Sequence, residues 1–130
     1  MGTRILLDTN SVIYYLNGIL PLSAKTALDG VLVLEVNISV ISKIELLGWT
    51  PPTGVSLQPV QDFVNAAIIL PLNDAVVQKT IEIRRSKKIK LPDAIIAATA
   101  LVNGLEIISR NKSDFSGITG LVCYDPFTEL

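Results

Sequence analysis

Four acidic side chains occupy positions from which they could do chemistry. Asp8 follows an apolar, strand-like segment, and Asp114 lies in the loop after a second such segment. Asp93 opens a segment that would form a helix apolar nearly all round, and the helix dipole favours a carboxylate there. Glu45 lies within the mostly apolar segment 40–47, where a buried carboxylate needs a partner or a metal ion.

The chemistry open to these carboxylates is that of a hard metal ion. Like charges brought together repel one another, and a divalent cation relieves that repulsion. The chain has no histidine, which excludes histidine acid–base catalysis, Ser-His-Asp triads and histidine-ligated zinc. Oxygen-only ligands favour Mg²⁺ or Mn²⁺, which activate water and stabilise charge on a phosphoryl oxygen.

Each of these acids also has a purely local explanation. Asp8 and Asp93 would cap or begin the helices that follow them. Glu45 would be exposed beside Lys43 or Ser42, and Asp114 would belong to a solvated turn. The metal-site interpretation therefore requires the four side chains to converge in the fold.

The elements that must position these acids alternate between strands and helices. Short apolar strands are predicted at 3–7, 31–38, 68–70, 105–108 and 121–123. Helices are predicted at 11–16, 21–29, 40–47, 59–67, 73–88 and 93–103, with Thr9 or Asn10 and Ser39 as caps and with Gly30, Gly48 and Gly104 as stops. The alternation predicts an α/β fold with a central parallel sheet and helices on both faces. Such sheets bind ligands beyond the carboxyl ends of their strands.

Length and composition fit one domain spanning residues 1–130. Of the 130 residues, 49% are hydrophobic and 18% are charged, which is enough apolar surface for a core and excludes a disordered chain. No apolar run reaches the roughly 18 residues needed to cross a bilayer. The start lacks a signal-peptide pattern, and Cys123 is the single cysteine, so we expect a cytoplasmic protein without an internal disulfide.

The sequence resembles the PIN-domain ribonucleases, and among them the small prokaryotic toxins of the VapC type. The resemblance covers nearly the whole chain and is carried by segments 6–10 (LLDTN), 42–46 (SKIEL), 91–100 (LPDAIIAATA) and 109–115 (SRNKSDF). The third segment is the most specific, and the order and spacing of all four strengthen the match. The resemblance implies a three-layer fold with a central parallel five-stranded sheet. It also implies an endoribonuclease that depends on Mg²⁺ or Mn²⁺.

The same resemblance suggests which residues form the site. Asp8, Glu45 and Asp93 match the family's metal-site acids. The fourth acid stands in the family either at the position of Asn111 or at the acid before phenylalanine, here Asp114; we assign Asp114. The supporting residues are then Asn10, Ser42, Ser109 (often threonine in the family) and Asn111. In such a site a metal-activated water attacks the scissile phosphorus in line.

A cationic run before Asp93 is the candidate RNA-binding segment. Five of the 11 basic residues fall within positions 84–90, where they could contact phosphates. They would equally suit the solvated, cation-rich end of a helix. The residues predicted to bind RNA are Arg84, Arg85, Lys87, Lys88, Arg110 and Lys112.

The resemblance also implies protein partners. VapC-like proteins pair with an antitoxin that covers the site, and they are commonly homodimers. A mean hydropathy of +0.50 is consistent with a partner surface. The candidate apolar patch comprises Ile13, Tyr14, Tyr15, Leu16 and Trp49, although core packing would explain most of these residues.

Two other functions remain open from the sequence. A PIN-like module that binds RNA or protein without cleaving would need no metal ion and would tolerate Asp8→Asn. A small Mg²⁺-dependent phosphohydrolase would use an aspartate after the first strand as nucleophile, typically with a second aspartate two positions later. Asn10 occupies that second position here, which counts against the phosphohydrolase.

Overall fold

The computed structural model describes residues 1–2 and 4–130. Within these residues the strands are β1 (Ile5–Leu7), β2 (Asn37–Ser39), β3 (Ile68–Leu70), β4 (Glu106–Ile108) and β5 (Cys123–Tyr124). The helices are α1 (Thr9–Leu16), α2 (Leu22–Leu32), α3 (Val40–Gly48), α4 (Gln58–Ala66), α5 (Asp74–Ser86), α6 (Leu91–Asn103) and α7 (Lys112–Phe115). None of the helices in these two ranges is long and apolar enough to span a membrane.

The strands form one parallel five-stranded sheet in the order β3-β2-β1-β4-β5. The direction of strand addition reverses at β1, which has β2 on one side and β4 on the other. Leu7 of β1 lies opposite Ile108 of β4, so the next residues, Asp8 and Ser109, leave the sheet side by side. A ligand site is expected at such a reversal, beyond the carboxyl ends of the strands.

Alternating strand residues face two apolar layers. Leu6 and Ile107 pack with buried residues of α5, α6 and α7 on one face of the sheet. Ile5, Leu7 and Ile108 pack with buried residues of α1 to α4 on the other face. Because successive side chains of a strand point to opposite faces, three-residue strands suffice to join both layers. The structure confirms the predicted three-layer α/β fold.

Local sequence signals set several helix ends, of which the Ser39 cap and the Gly104 stop were predicted. Ser39 caps α3, with its Oγ accepting from the backbone N–H of Ile41 at 3.1 Å. Asn73 caps α5, with its Oδ1 accepting from the backbone N–H of Val76 at 3.0 Å. Gly104 ends α6 at φ 67°, a left-handed conformation that glycine adopts without a Cβ clash.

The strand predicted at 31–38 is wrong over most of its length. α2 continues past Gly30, and only the last two positions of that segment belong to β2. Ala24, Leu28 and Val31 are buried at helical spacing, so packing of this stripe carries the helix through the glycine. The strand propensity of the segment is outweighed by that burial.

Helix and strand starts also shift by a few residues. β1 begins at Ile5, and Thr3, which the predicted strand included, lies outside the described residues. α6 begins at Leu91 instead of Asp93, because Pro92 fits the first turn, where its missing N–H is not needed. Asp93 therefore lies within the first turn of α6.

The chain after β4 differs from the prediction in two places. β5 begins at Cys123, two positions after the start of the predicted strand 121–123. A single helical turn, α7, lies where only a loop was predicted. Phe115 in this turn is buried in the core at 3% exposure, which fixes α7 against the helix layer that contains α6.

Candidate metal centre

Asp8 caps α1 at the carboxyl end of β1. Its Oδ1 accepts from the backbone N–H of Ser11 at 2.8 Å, and its Oδ2 accepts from the Ser109 hydroxyl at 2.5 Å. Ser11 Oγ donates to the Ile108 carbonyl at 2.9 Å and so ties the start of α1 to the end of β4. Asp8 is 6% exposed, and these contacts hold both of its oxygens in fixed directions.

The structure selects one of the caps that the sequence offered for α1. Asp8 takes that place, and the other candidates, Thr9 and Asn10, do not. Asp8 can cap α1 and also bind a metal ion. Each carboxylate oxygen has two lone pairs, and each hydrogen bond uses one of them.

Thr9 links Glu45 to the start of α1. Its Oγ1 lies 2.7 Å from Glu45 Oε1 and 3.0 Å from Ser42 Oγ. A hydroxyl has one proton, and its bond to the charged carboxylate is the stronger of the two. Ser42 is buried and Glu45 is exposed, and they share one face of α3. Thr9 was not among the predicted site residues; its place directly after Asp8 was the available signal.

Asp93 is half-buried in the first turn of α6. Burial is the largest cause that raises the pKa of Asp93, and the charges of Asp114, Asp8 and Glu45 raise this pKa further. The charge of Lys90 opposes them. Asp93 therefore lies within electrostatic reach of the other three acids, although all four lie far apart in the sequence.

Burial also raises the pKa of Asp8, and the charge of Glu45 adds to that rise. Hydrogen bonds from Ser109 and Ser11 act in the opposite direction. The ion pairs of residues 1–2 and 4–130 involve other acids, so the negative charge at this site has no paired cation in that part of the chain.

Carboxylate and hydroxyl oxygens with unpaired negative charge fit a hard divalent cation in donor type and in charge. In the described ranges, no group of three acidic side chains is arranged to hold one metal ion. The four predicted acids therefore fit a metal ion by the chemistry of their donor atoms and by their charge.

The asparagines predicted to support the site are exposed. Asn10 lies on α1, in the turn that Asp8 caps. Asn111 contacts the site through its backbone, because its N–H donates to Ser109 Oγ at 3.0 Å. Asp114 is exposed on α7, three residues further along the chain.

A cavity of about 490 Å³ joins two of the acids to the cationic run. Asp93 and Asp114 line it together with Arg84, Lys88 and Lys90. A neighbouring cavity of about 500 Å³ is lined by residues 84–89, which include Arg85 and Lys87. Lys90 is the last residue of the run that was predicted to contact phosphates.

Three of the six cations predicted to bind RNA already contact other parts of the protein. Lys87 Nζ donates to the backbone carbonyls of Asp114 and Ser116. Lys112 pairs with Glu129 at 2.7 Å, and the Arg110 guanidinium lies 4.1 Å from the centre of the Phe127 ring. The last two contacts fasten the loop after β4 to the end of the chain.

An apolar groove adjoins Glu45. It has a volume of about 320 Å³ between α1, α3, α4 and the loop before α4. Ile13, Leu16 and Trp49 of the predicted apolar patch line it, and Trp49 is 50% exposed. The two tyrosines of that patch lie elsewhere: Tyr14 packs edge-on against Phe127, and Tyr15 contacts Phe63.

The sequence matches the family described as PIN domain over residues 5–121. A toxin–antitoxin complex from Klebsiella pneumoniae is similar in structure, with 28% identity, a TM-score of 0.71, and coverage of 97% of this chain and 99% of that chain. FitAcB from Neisseria gonorrhoeae has 27% identity, a TM-score of 0.76, and coverage of 95% and 99%.

VapBC2 from Rickettsia felis, bound to a DNA fragment from its promoter, is similar in fold. It has 20% identity, a TM-score of 0.77, and coverage of 92% of this chain and 96% of that chain. A search of curated proteins found no significant match.

Proposed function

This chain belongs to the PIN-domain family, and we propose that it is an endoribonuclease that depends on Mg²⁺ or Mn²⁺. The observation that carries the proposal is that Asp93 lines one cavity with Asp114 and lies within electrostatic reach of Asp8 and Glu45. They come from four separate segments, and Asp8 lies at the end of β1, where the order of strands reverses. Structural similarity to toxin–antitoxin complexes supports the same assignment.

Asp8 and Asp93 would hold the metal ion, with Glu45 and Asp114 completing the acidic site. When bound, such an ion makes water more acidic and stabilises the charge that develops on a phosphoryl oxygen. Asp8 contributes a carboxylate whose direction Ser11 and Ser109 fix in advance. Thr9 does the same for Glu45. Preorganised groups of this kind need little rearrangement as charge develops.

A proton released from water during hydrolysis needs an acceptor. Because the chain has no histidine, that acceptor is a carboxylate of the site or the solvent.

The RNA strand would lie over the cavity that contains both acids and cations. Arg84, Lys88 and Lys90 line it together with Asp93 and Asp114. A phosphate held by these cations would place the next linkage close to the carboxylates. Binding through phosphates is electrostatic, so it weakens as the salt concentration rises.

We also propose that the protein is the toxin of a toxin–antitoxin pair. The groove beside Glu45 has the apolar lining that an antitoxin segment would bury. Trp49 is the only tryptophan in the chain and lines this groove, so a segment bound there would shift its fluorescence to shorter wavelength. The candidate partner to test is the product of a small gene directly upstream. A homodimer is the further expectation from the family resemblance.

The deciding experiment is cleavage of RNA by the purified protein with Mg²⁺ or Mn²⁺. We expect cleavage that is lost with EDTA and in Asp93→Asn. Cleavage that survives both changes would overturn the proposed mechanism. RNA binding without cleavage of any RNA tested would favour a non-catalytic binding module. Hydrolysis of small phosphate esters in place of RNA would favour a phosphohydrolase.

A further inference from the structure

We propose that Lys87 is a positioning residue for Asp114, and that it does not bind RNA. The inference rests on the proposed function, in which Asp114 belongs to the metal site. Within the cationic run 84–90, the proposal separates residues that contact the protein itself from residues that face the substrate.

The contacts of Lys87 carry the proposal. Its Nζ donates to the backbone carbonyl of Asp114 at 2.8 Å and to that of Ser116 at 2.7 Å. The last carbonyls of a helix have no partner within the helix, and a cation near that end is favoured by the helix dipole. Ser116 Oγ donates to the Ser113 carbonyl at 2.8 Å, and Lys87 supplies a donor for the carbonyls of Asp114 and Ser116.

α7 is a single turn, so it depends on contacts from outside. Phe115 fixes one side of it in the core, and Lys87 fixes its C-terminal end. Asp114 precedes Phe115, its own carbonyl accepts from Lys87, and its side chain is exposed. The position of this carboxylate relative to Asp93 therefore depends on both anchors.

Lys88, the next residue, has the opposite environment. It is exposed and lines the cavity that contains Asp93 and Asp114. Across the parts of the chain that the structure describes, no hydrogen bond or ion pair engages its ammonium group. Lys87 and Lys88 therefore form a matched pair for comparison. They are adjacent and equally charged, but Lys87 contacts the protein and Lys88 faces the cavity where the ligand would bind.

The test compares Lys87→Met with Lys88→Met, because methionine keeps an apolar stem and removes the charge. Hydrogen exchange of the backbone amides of residues 112–117 reports how stably α7 is folded. The affinity for Mn²⁺ in the absence of RNA reports whether the acidic site is intact. The affinity for RNA in EDTA, measured at several salt concentrations, reports contacts to phosphates.

We expect Lys87→Met to speed exchange at the end of α7 by about tenfold, the effect of losing hydrogen bonds to a charged donor. It should weaken Mn²⁺ binding severalfold and change RNA affinity in EDTA by less than about twofold. Lys88→Met should weaken RNA binding and lower its salt dependence by about one charge, with exchange and Mn²⁺ affinity unchanged.

A Lys87→Met protein that loses RNA affinity while keeping Mn²⁺ affinity and slow exchange would overturn the proposal. If Lys87→Met folds poorly, NMR of the lysine side chains in the wild-type protein tests the same proposal. RNA should shift the signals of Lys88 and leave those of Lys87 in place, and the reverse result overturns the proposal. If no RNA is cleaved, the proposed function fails, while exchange and Mn²⁺ binding still decide the role of Lys87.

Discussion

The hydroxyl of Ser109 donates to Oδ2 of Asp8 across 2.5 Å and so joins residues 101 positions apart. The bond exists because β1 and β4 are in register, which brings the residues after Leu7 and Ile108 together. Ser109 is completely buried, so the contact is shielded from water. A metal site built on Asp8 therefore depends on a hydroxyl of a neighbouring strand for its orientation.

Replacing this hydroxyl should impair the site more than the fold. We expect Ser109→Ala to lower metal-dependent RNA cleavage by about 10- to 100-fold, the usual effect of losing a partner that orients a metal ligand. Ser109→Thr keeps the hydroxyl and should retain more activity. Ser113→Ala, an exposed serine four residues later, is the control. Equal activity of all three variants would contradict the role assigned to Ser109.

Removing the charge of Asp93 should stabilise the metal-free protein. Its pKa is raised in the folded state, so the folded protein binds a proton more tightly than the unfolded chain. The free energy of unfolding therefore falls as the pH rises from the ordinary aspartate value of 3.8 through the folded pKa. At neutral pH in EDTA, Asp93→Asn should raise the melting temperature, by on the order of 2 °C.

With Mn²⁺ present, the wild type should become more stable than Asp93→Asn. Mn²⁺ that binds only the folded protein raises the melting temperature of the wild type. The rise should be much smaller in Asp93→Asn, which lacks one of the proposed ligands. Equal stabilisation of the two proteins by Mn²⁺ would separate metal binding from Asp93, whatever the result of the cleavage assay.

The cavity cations should control how RNA binding depends on salt. Removing one phosphate contact lowers the slope of log affinity against log salt by about 0.7 for a single strand. We expect this change for Arg84→Gln in fluorescence anisotropy with a labelled RNA. Lys79→Met, which removes a cation of the same helix that pairs with Glu82, should leave the slope unchanged. Identical slopes for all three proteins would place the RNA elsewhere.

Cys123 should react slowly with alkylating reagents and should report on the charge of Asp8. Burial, followed by the charge of Asp8, raises the pKa of this thiol to about 11. About one thousandth of it is then ionised at pH 8, and the thiolate is the reactive form. We expect Asp8→Asn to lower the thiol pKa and to speed alkylation by iodoacetamide, measured by mass spectrometry. A slower or unchanged rate would contradict the electrostatic link.

Local rules were sufficient to place Asp8 and Asp93. A short apolar strand with a helix after it puts Asp8 at the edge of the sheet, and an apolar helix that begins near Pro92 puts Asp93 in its first turn. Both assignments need only neighbouring residues. The continuation of α2 past Gly30 was beyond such rules, because burial against the sheet decides it.

The contacts between segments could not be predicted in the same way. The bond from Thr9 to Glu45 crosses 36 positions, and that from Lys87 to Asp114 crosses 27. No spacing rule connects residues so far apart. α7 was missed for a related reason: one turn is too short to display a period, and it persists because Phe115 and Lys87 hold it.

The capping role of Asp8 makes position 8 intolerant of change for two independent reasons. Alanine there would remove a negative charge and also fray the first turn of α1, since the Ser11 N–H would lose its acceptor. Asparagine caps helices about as well as aspartate does, so Asp8→Asn is the substitution that should abolish cleavage and leave the fold intact. Evolution toward an inert homologue of this protein would be expected to pass through asparagine at this position.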